Sequence, residues 1–184
     1  QIETHIHWRI SKGETMDNLK DDLNDVVSRV RNFTLSVLEG EPNRLYDASR
    51  TYLASGGKKL RPFMVIKSCE MFAGREEKAL PAAAAVELIH NFSLIHDDIM
   101  DNANFRKGNL TIHKNYNLNT VILTGDILAA VAYEFLLKDC KVNAKQALDS
   151  FTKGLVEVCE GQSLDTEFET RKNVSLPEYI EMIE

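Results

Sequence analysis

The sequence predicts an all-α protein, and three observations carry that prediction. Apolar residues recur at helical spacing along most of the length, prolines and glycines stand where helices would begin and end, and strand-type alternation bounded by turns is nowhere convincing. With 43% hydrophobic and 27% charged residues, 9 Gly and 4 Pro, the 184 residues can bury a core, and the length favours one domain or part of a larger one.

The elements follow in order. Residues 1–15 hold no sustained period and read as a flexible tail, with Met16 a candidate natural start; His5 and His7 sit there in isolation and receive no metal role. From Met16, the residues Leu19, Leu23, Val26, Val30, Phe33 and Val37 fall in alternating steps of four and three, which turns Lys20, Asp21, Asp25 and Arg29 outward. Glu39-Gly40-Glu41-Pro42 stops this helix, and a second runs from about Asn43 to Ser55, ending at Gly56-Gly57. Pro62 suits the first turn of a third helix, closed by Gly74, and Pro81 opens a fourth that extends to about Ala103. Helical patterning returns at Thr120–Leu137 and Asn143–Glu169. Ser175-Leu176-Pro177-Glu178 is a capping box that starts a last helix. With Glu184 less than two turns further on, the expectation is that residues 16–184 are the N-terminal portion of one larger domain.

Composition narrows the function classes. A formal net charge of -6 argues against a general nucleic-acid surface. Cys69, Cys140 and Cys159 have neither disulfide-framework nor zinc spacing, so they read as buried small hydrophobes in a reducing compartment, with cytoplasm the default. No apolar run reads as long enough to cross a bilayer, and the N-terminus lacks a signal-peptide core.

The most informative stretch is His90 to Asp101, which contains Asp97-Asp98-Ile99-Met100-Asp101. At about 100° per residue, Leu88, Phe92, Ile95 and Ile99 share one side of the helix and His90, Asp97 and Asp101 the other. Carboxylates one turn apart repel, and a divalent cation relieves the repulsion. Aspartate oxygens suit Mg²⁺, which takes one or two protein carboxylates together with waters and phosphate oxygens. The plain alternative is an acidic helix end in solvent. Against it, Ala82 to Ile95 holds one formal charge, Glu87, so the acids sit at the edge of a buried helix.

Cations flank this row. Gly56-Gly57-Lys58-Lys59-Leu60-Arg61 precedes the Pro62 helix, and a glycine-rich basic loop at a helix N-terminus is a ready anion site, although a breaking turn with solvated lysines explains it equally well. Arg106-Lys107-Gly108 follows the aspartates closely; alone it reads as a charged loop. Gln162, Asp165 and Glu169 share a face of a later helix, which by itself is a polar surface.

Taken together and in order, Gly56-Gly57-Lys58-Lys59-Leu60-Arg61-Pro62, His90 to Asp101, Arg106-Lys107-Gly108 and Gly161-Gln162 resemble the motifs of trans-type polyprenyl diphosphate synthases of the short-chain, geranylgeranyl or farnesyl diphosphate synthase-like kind, over roughly Met16 to Glu184. The resemblance implies the helical isoprenoid synthase fold around a central cavity, of which this is the N-terminal part, and usually a homodimer. It implies that Asp97 and Asp101, supported by Asp98, hold Mg²⁺ against the diphosphate of an allylic substrate that Arg106 also contacts. Lys58, Arg61, His90 and Lys107 would bind isopentenyl diphosphate, and Gln162 would lie near the reacting allylic unit. The implied reaction is ionisation of the allylic diphosphate, attack by the isopentenyl double bond and loss of a proton, with no stable membrane insertion of the protein.

This sequence departs from the family pattern in places. Lys107 stands where a second arginine is usual and Leu110 where proline is common, and neither the second aspartate-rich motif nor the later Lys-Thr pair occurs within the 184 residues. Asp165, Glu167 and Glu169 are too early and wrongly spaced to substitute. Product length in the family depends on bulk at the positions of Ser93 and Phe92; the small Ser93 leaves the tunnel open and the pattern leans to a twenty-carbon product, while Phe92 points to the opposite stripe. Two other readings stand beside this one: a non-catalytic partner subunit of a heteromeric synthase, and a class I terpene cyclase, which needs no Gly56 to Arg61 loop.

Overall fold

A computed structural model describes residues 16–54, 59–72, 74–139 and 143–183. The tail with His5 and His7, the loop residues Ser55 to Lys58 and Cys140 lie outside the described residues. The elements are α1 (Met16–Val37), α2 (Asn43–Ala54), α3 (Leu60–Met71), α4 (Glu76–Met100), β1 (Phe105–Arg106), β2 (Asn109–Leu110), α5 (Ile112–Asn115), α6 (Leu118–Asp139), α7 (Ala144–Thr170) and α8 (Leu176–Ile183).

α4 is the axis of the packing. Its most extensive neighbour is α6, with α3 and α1 also against it, while α2 lies on α6. Ala83, Ala84, Ala85, Leu88 and Ile95 of α4 are fully buried with Val121, Leu128 and Ala132 of α6. The alanines let neighbouring backbones approach, so α4 is apolar around most of its circumference until the aspartates. Close approach is also built in at Gly125 of α6, where an added Cβ would stand 2.4 Å from His96 Nε2. That imidazole is wedged by the Phe92 ring, centroids 4.6 Å apart, and reaches the Ile122 carbonyl at 3.3 Å. Gly125→Ala is therefore expected to destabilise by about 1–3 kcal/mol from overpacking, offset in part by about 1 kcal/mol of helix propensity. A urea midpoint that stays put or rises in this variant would show that His96 yields freely.

Several sequence expectations are corrected. In α1 the buried stripe is Val26, Val30 and Thr34, continued by Leu38 just past its end, whereas Leu19 and Val37 are 51% and 42% exposed; the stripe drifts because 3.6 residues per turn does not match the alternating spacing over six turns. α3 begins at Leu60, ahead of Pro62, which still lies in its first turn. α4 begins at Glu76 rather than Pro81, with Glu76 and Glu77 favouring the positive end of the helix. Pro81 is buried inside it and forgoes one hydrogen bond, to the Glu77 carbonyl.

Between α4 and α6 the chain forms a two-stranded antiparallel hairpin, Phe105 opposite Leu110 and Arg106 opposite Asn109, in an otherwise helical fold. Lys107 (φ 51°) and Gly108 (φ 82°) make its two-residue turn, in which both central residues need left-handed backbone. Neither described cysteine is fully buried: Cys69 is half-buried at the edge of the core, where its Sγ reaches the Arg75 carbonyl at 3.7 Å, and Cys159 is exposed on α7.

α6 also overturns the reading that no apolar run could span a bilayer. Within its 21 residues Leu118–Lys138 an 18-residue window reaches a mean hydropathy of 1.7, long and apolar enough to cross one by length and composition. The reason is that α6 meets other helices on several sides: α4, α2, α5 and α7 all pack on it. Ile122, Leu123 and Leu137 remain exposed.

The capping box forms as read. Ser175 N and Oγ lie 2.8 and 2.7 Å from Glu178 Oε2, and Arg171 Nη2 donates to Glu178 Oε1 at 2.7 Å. These bonds, the Ser175 hydroxyl foremost, hold the Glu178 carboxyl down at about 2. α8 rests on α7, aided by Gly161, where a Cβ would meet the Met182 carbonyl oxygen at 2.7 Å.

Candidate active site

The aspartates occupy the last turns of α4, and the structure separates their environments. Asp98 is 1% exposed, Asp97 half-buried and Asp101 exposed at the C-terminal cap. Arg106, delivered by β1, reaches back to α4: its Nε donates to Asp98 Oδ1 at 2.7 Å and its Nη2 to Asp97 Oδ2 at 3.1 Å. One planar guanidinium thus spans two neighbouring carboxylates. The second oxygen of Asp98, Oδ2, is buried with no hydrogen-bond partner. Burial pushes the Asp98 carboxyl above its ordinary range, and the bond from Arg106 opposes that.

Asp98 faces a cleft of about 400 Å³ lined also by Tyr52, Asn91, Leu94, Arg106 and Thr111. Burial there raises the Tyr52 phenol well above its usual value; the charge of Asp98 adds to this and that of Arg106 opposes it. Thr111, which anchors the far side of the hairpin, donates to the Ala103 carbonyl at 2.6 Å.

Two turns before Asp97 on the same side of α4, His90 meets the start of α3. Arg61 Nη1 lies 3.2 Å from His90 Nε2. A guanidinium can only donate, so Nε2 accepts, which a neutral imidazole with its proton on Nδ1 allows. Burial, then the charge of Arg61, lowers the His90 pKa and favours that neutral form. Lys59 turns inward instead: its Nζ donates to Glu87 Oε1 at 2.6 Å. Asn91 Nδ2 donates to the same oxygen at 2.7 Å.

Of the residues singled out in the sequence, Asp97, Asp98 and Arg106 are in direct contact, Arg61 and His90 form a second contact, and Lys107 occupies the hairpin turn, where its charge acts on His90. Asp101 makes no side-chain bond to these groups, and Lys58 lies outside the described residues. Gln162 stands apart, in a cleft between α7 and α8 with Gly161, Asp165 and Met182. Ser93 is half-buried with its hydroxyl on the His90 carbonyl at 2.9 Å, and Phe92 packs against the core and His96. Tyr52, Glu87, Asn91 and the inward Lys59 escaped the sequence reading. Glu87 and Asn91 carried a signal: two polar residues one turn apart within an alanine-rich apolar run.

Among the described residues no three His, Cys, Asp or Glu side chains converge as a finished metal cage. The donors nonetheless fit a magnesium ion. Asp97 and Asp101 offer hard oxygens one turn apart on the more open side of α4, and Mg²⁺ needs no more than one or two protein carboxylates. Asp98, turned inward onto Arg106, fits a supporting position behind them.

A carboxylate row on the central helix of a bundle, with a basic helix start beside it, defines the helical isoprenoid-synthase type of fold. Residues 42–184 match the family model described as polyprenyl synthetase. The chain is 40% identical over 164 residues to the geranylgeranyl diphosphate synthase of Sulfolobus acidocaldarius, covering 87% of this chain and 50% of that protein. It is 46% identical over 145 residues to the enzyme of the same name from Methanosarcina mazei, covering 78% and 45%. The solved geranylgeranyl pyrophosphate synthetase of Geoglobus acetivorans superimposes with a TM-score of 0.83 at 41% identity, over 88% of this chain and 54% of that one. That of Pyrococcus horikoshii gives 0.84 at 36%, over 90% and 52%. The chain therefore belongs to the polyprenyl synthetase family, and it spans about half the length of the curated relatives it matches.

Proposed function

We propose that this chain is the substrate-binding portion of a magnesium-dependent trans-prenyltransferase that condenses isopentenyl diphosphate with an allylic diphosphate to a geranylgeranyl or farnesyl product. The observation that carries the reading is the Asp97–Arg106–Asp98 contact and the Arg61–His90 contact: acids for a metal ion and cations for two diphosphates, with His90 and Asp97 two turns apart on one side of α4.

In this reading Asp97 and Asp101 hold the ion and Asp98 keeps Arg106 directed at the allylic diphosphate. Bound there, Mg²⁺ supplies positive charge where the departing diphosphate accumulates negative charge. Arg106 adds a fork of N–H donors to the same group. Arg61 and a neutral His90, with Lys58 and Lys107, orient isopentenyl diphosphate; its double bond attacks the allylic carbon as the carbon–oxygen bond opens, and the new cation loses a proton to the released diphosphate. The apolar wall of α4 keeps water from the cation. Gln162 belongs near the allylic unit in this reading.

We take residues 16–184 as the N-terminal portion of one all-α domain that works as a homodimer. In support, no residue of α7 or α8 is buried, and Val156, Leu176, Tyr179 and Ile183 are exposed. Ile122, Leu123 and Leu137 on α6 are candidates for the dimer face. The buried side of α6 favours an internal helix over a membrane span.

The test is incubation of the whole protein carrying this chain with labelled isopentenyl diphosphate, an allylic primer and magnesium. Elongated prenyl diphosphate is expected; a cyclised hydrocarbon or unreacted primer would refute the reading.

A further inference from the structure

By residue type Lys58, Lys59 and Arg61 are three cations of one loop, of which the family resemblance assigns Lys58 and Arg61 but not Lys59 to isopentenyl diphosphate; the structure gives Lys59 another use. Its side chain is 10% exposed and that of Glu87 6%, and their ion pair is wrapped by Val30, Thr34 and Leu53 from α1 and α2. Little water reaches it, so the attraction is strong and either charge left alone would be severely destabilised. Glu87 is held in turn by Asn91, one turn further along α4. Lys59 also adopts left-handed backbone, φ 49° and ψ 37°, as the N-cap of α3, without a side-chain capping bond. A lysine resists that conformation.

The arrangement has a register. Lys59 meets Glu87, and two residues further on in α3 Arg61 meets His90, three residues further on in α4. The inner contact is buried and charged, and the outer one is exposed and ends in a neutral imidazole. Arg61 therefore keeps its positive charge uncompensated at the surface, whereas that of Lys59 is cancelled.

We infer that Lys59, Glu87 and Asn91 form a buried brace that pins the N-terminus of α3 to α4, and that Lys59 and Glu87 are positioning residues for the diphosphate cradle built on Arg61 and His90, not ligands in it. The inference rests on the reading of that cradle as an anion site. Its physical content is that the start of α3 and the Arg61 guanidinium hold their spacing to His90 only while the inner pair stays closed.

Inorganic pyrophosphate is the probe, titrated calorimetrically into the whole protein at fixed ionic strength, with isopentenyl diphosphate kinetics in parallel. Lys59→Met and Glu87→Gln should each weaken pyrophosphate binding by about tenfold or more. They should raise KM for isopentenyl diphosphate by a similar factor while KM for the allylic primer moves less than about threefold. Lys59→Arg, which restores the cation, should recover binding to within about threefold. The double variant Lys59→Met with Glu87→Gln should lose less than the two single losses combined, because neither charge is then buried alone. Weakening by Lys59→Met with no effect of Glu87→Gln would make Lys59 a direct ligand and overturn the brace. Unchanged binding in both folded variants would overturn it as well. Wild-type protein that binds pyrophosphate but elongates no primer would instead refute the prenyltransferase reading and leave the binding comparison to decide the brace.

Discussion

Asp97→Ala should lower turnover of isopentenyl diphosphate with an allylic primer by about a thousandfold or more, the rate equivalent of losing roughly 4 kcal/mol of transition-state stabilisation. Of the three acids, Asp97 combines access with a fixed direction: it is half-buried, one turn before the exposed Asp101, and held by one nitrogen of Arg106. Removing it deletes half of the outward pair of carboxylates. The fold should survive, because Asp98 keeps the shorter, buried bond to Arg106. Stability should change by less than about 1 kcal/mol, as for other partly exposed ion pairs. Circular dichroism and urea unfolding would establish the intact fold, and turnover within tenfold of wild type would remove Asp97 from the metal site.

Arg106→Leu should act on stability as well as rate. It strips the partner from Asp98, a carboxylate 1% exposed whose Oδ2 already has no hydrogen bond. A buried charge left alone is strongly unfavourable, and with the guanidinium itself partly exposed the loss should be about 2–3 kcal/mol at neutral pH. Arg106→Lys should recover only part of it, since one ammonium cannot reproduce a fork that reaches Asp97 and Asp98 together. Adding Asp98→Asn to Arg106→Leu should restore some stability, because the orphaned charge disappears with its partner. A urea midpoint for Arg106→Leu equal to wild type would mean that Asp98 is solvated or protonated without help.

Much of this was legible before any tertiary contact was known. The helices could be read because their determinants are local: a repeat near 3.6 residues, glycines at ends and the hydroxyl and carboxylate of the Ser175–Glu178 cap, which forms as its spacing requires. The acid row was visible because its members are adjacent in the chain. The early start of α4 was hidden because Pro81 mimics an N-terminal proline, yet it is buried among alanines that pack tightly enough to carry one missing bond. The hairpin was hidden because strands of two residues offer no alternation; Lys107-Gly108 was its only mark.

The roles of the individual charges could not be read along the chain. The family resemblance left Lys59 without a role beside Lys58 and Arg61, and the partner that neutralises it lies 28 residues away on another helix. Arg106 likewise seemed to be a free cation until β1 turned it back onto Asp97 and Asp98. The sequence by itself therefore determined where helices run and that acids and bases gather near one end of α4. Only the tertiary structure decided which charges are consumed by each other and which remain for a ligand, because that depends on distances of about 3 Å between elements and on the exclusion of water where they cross.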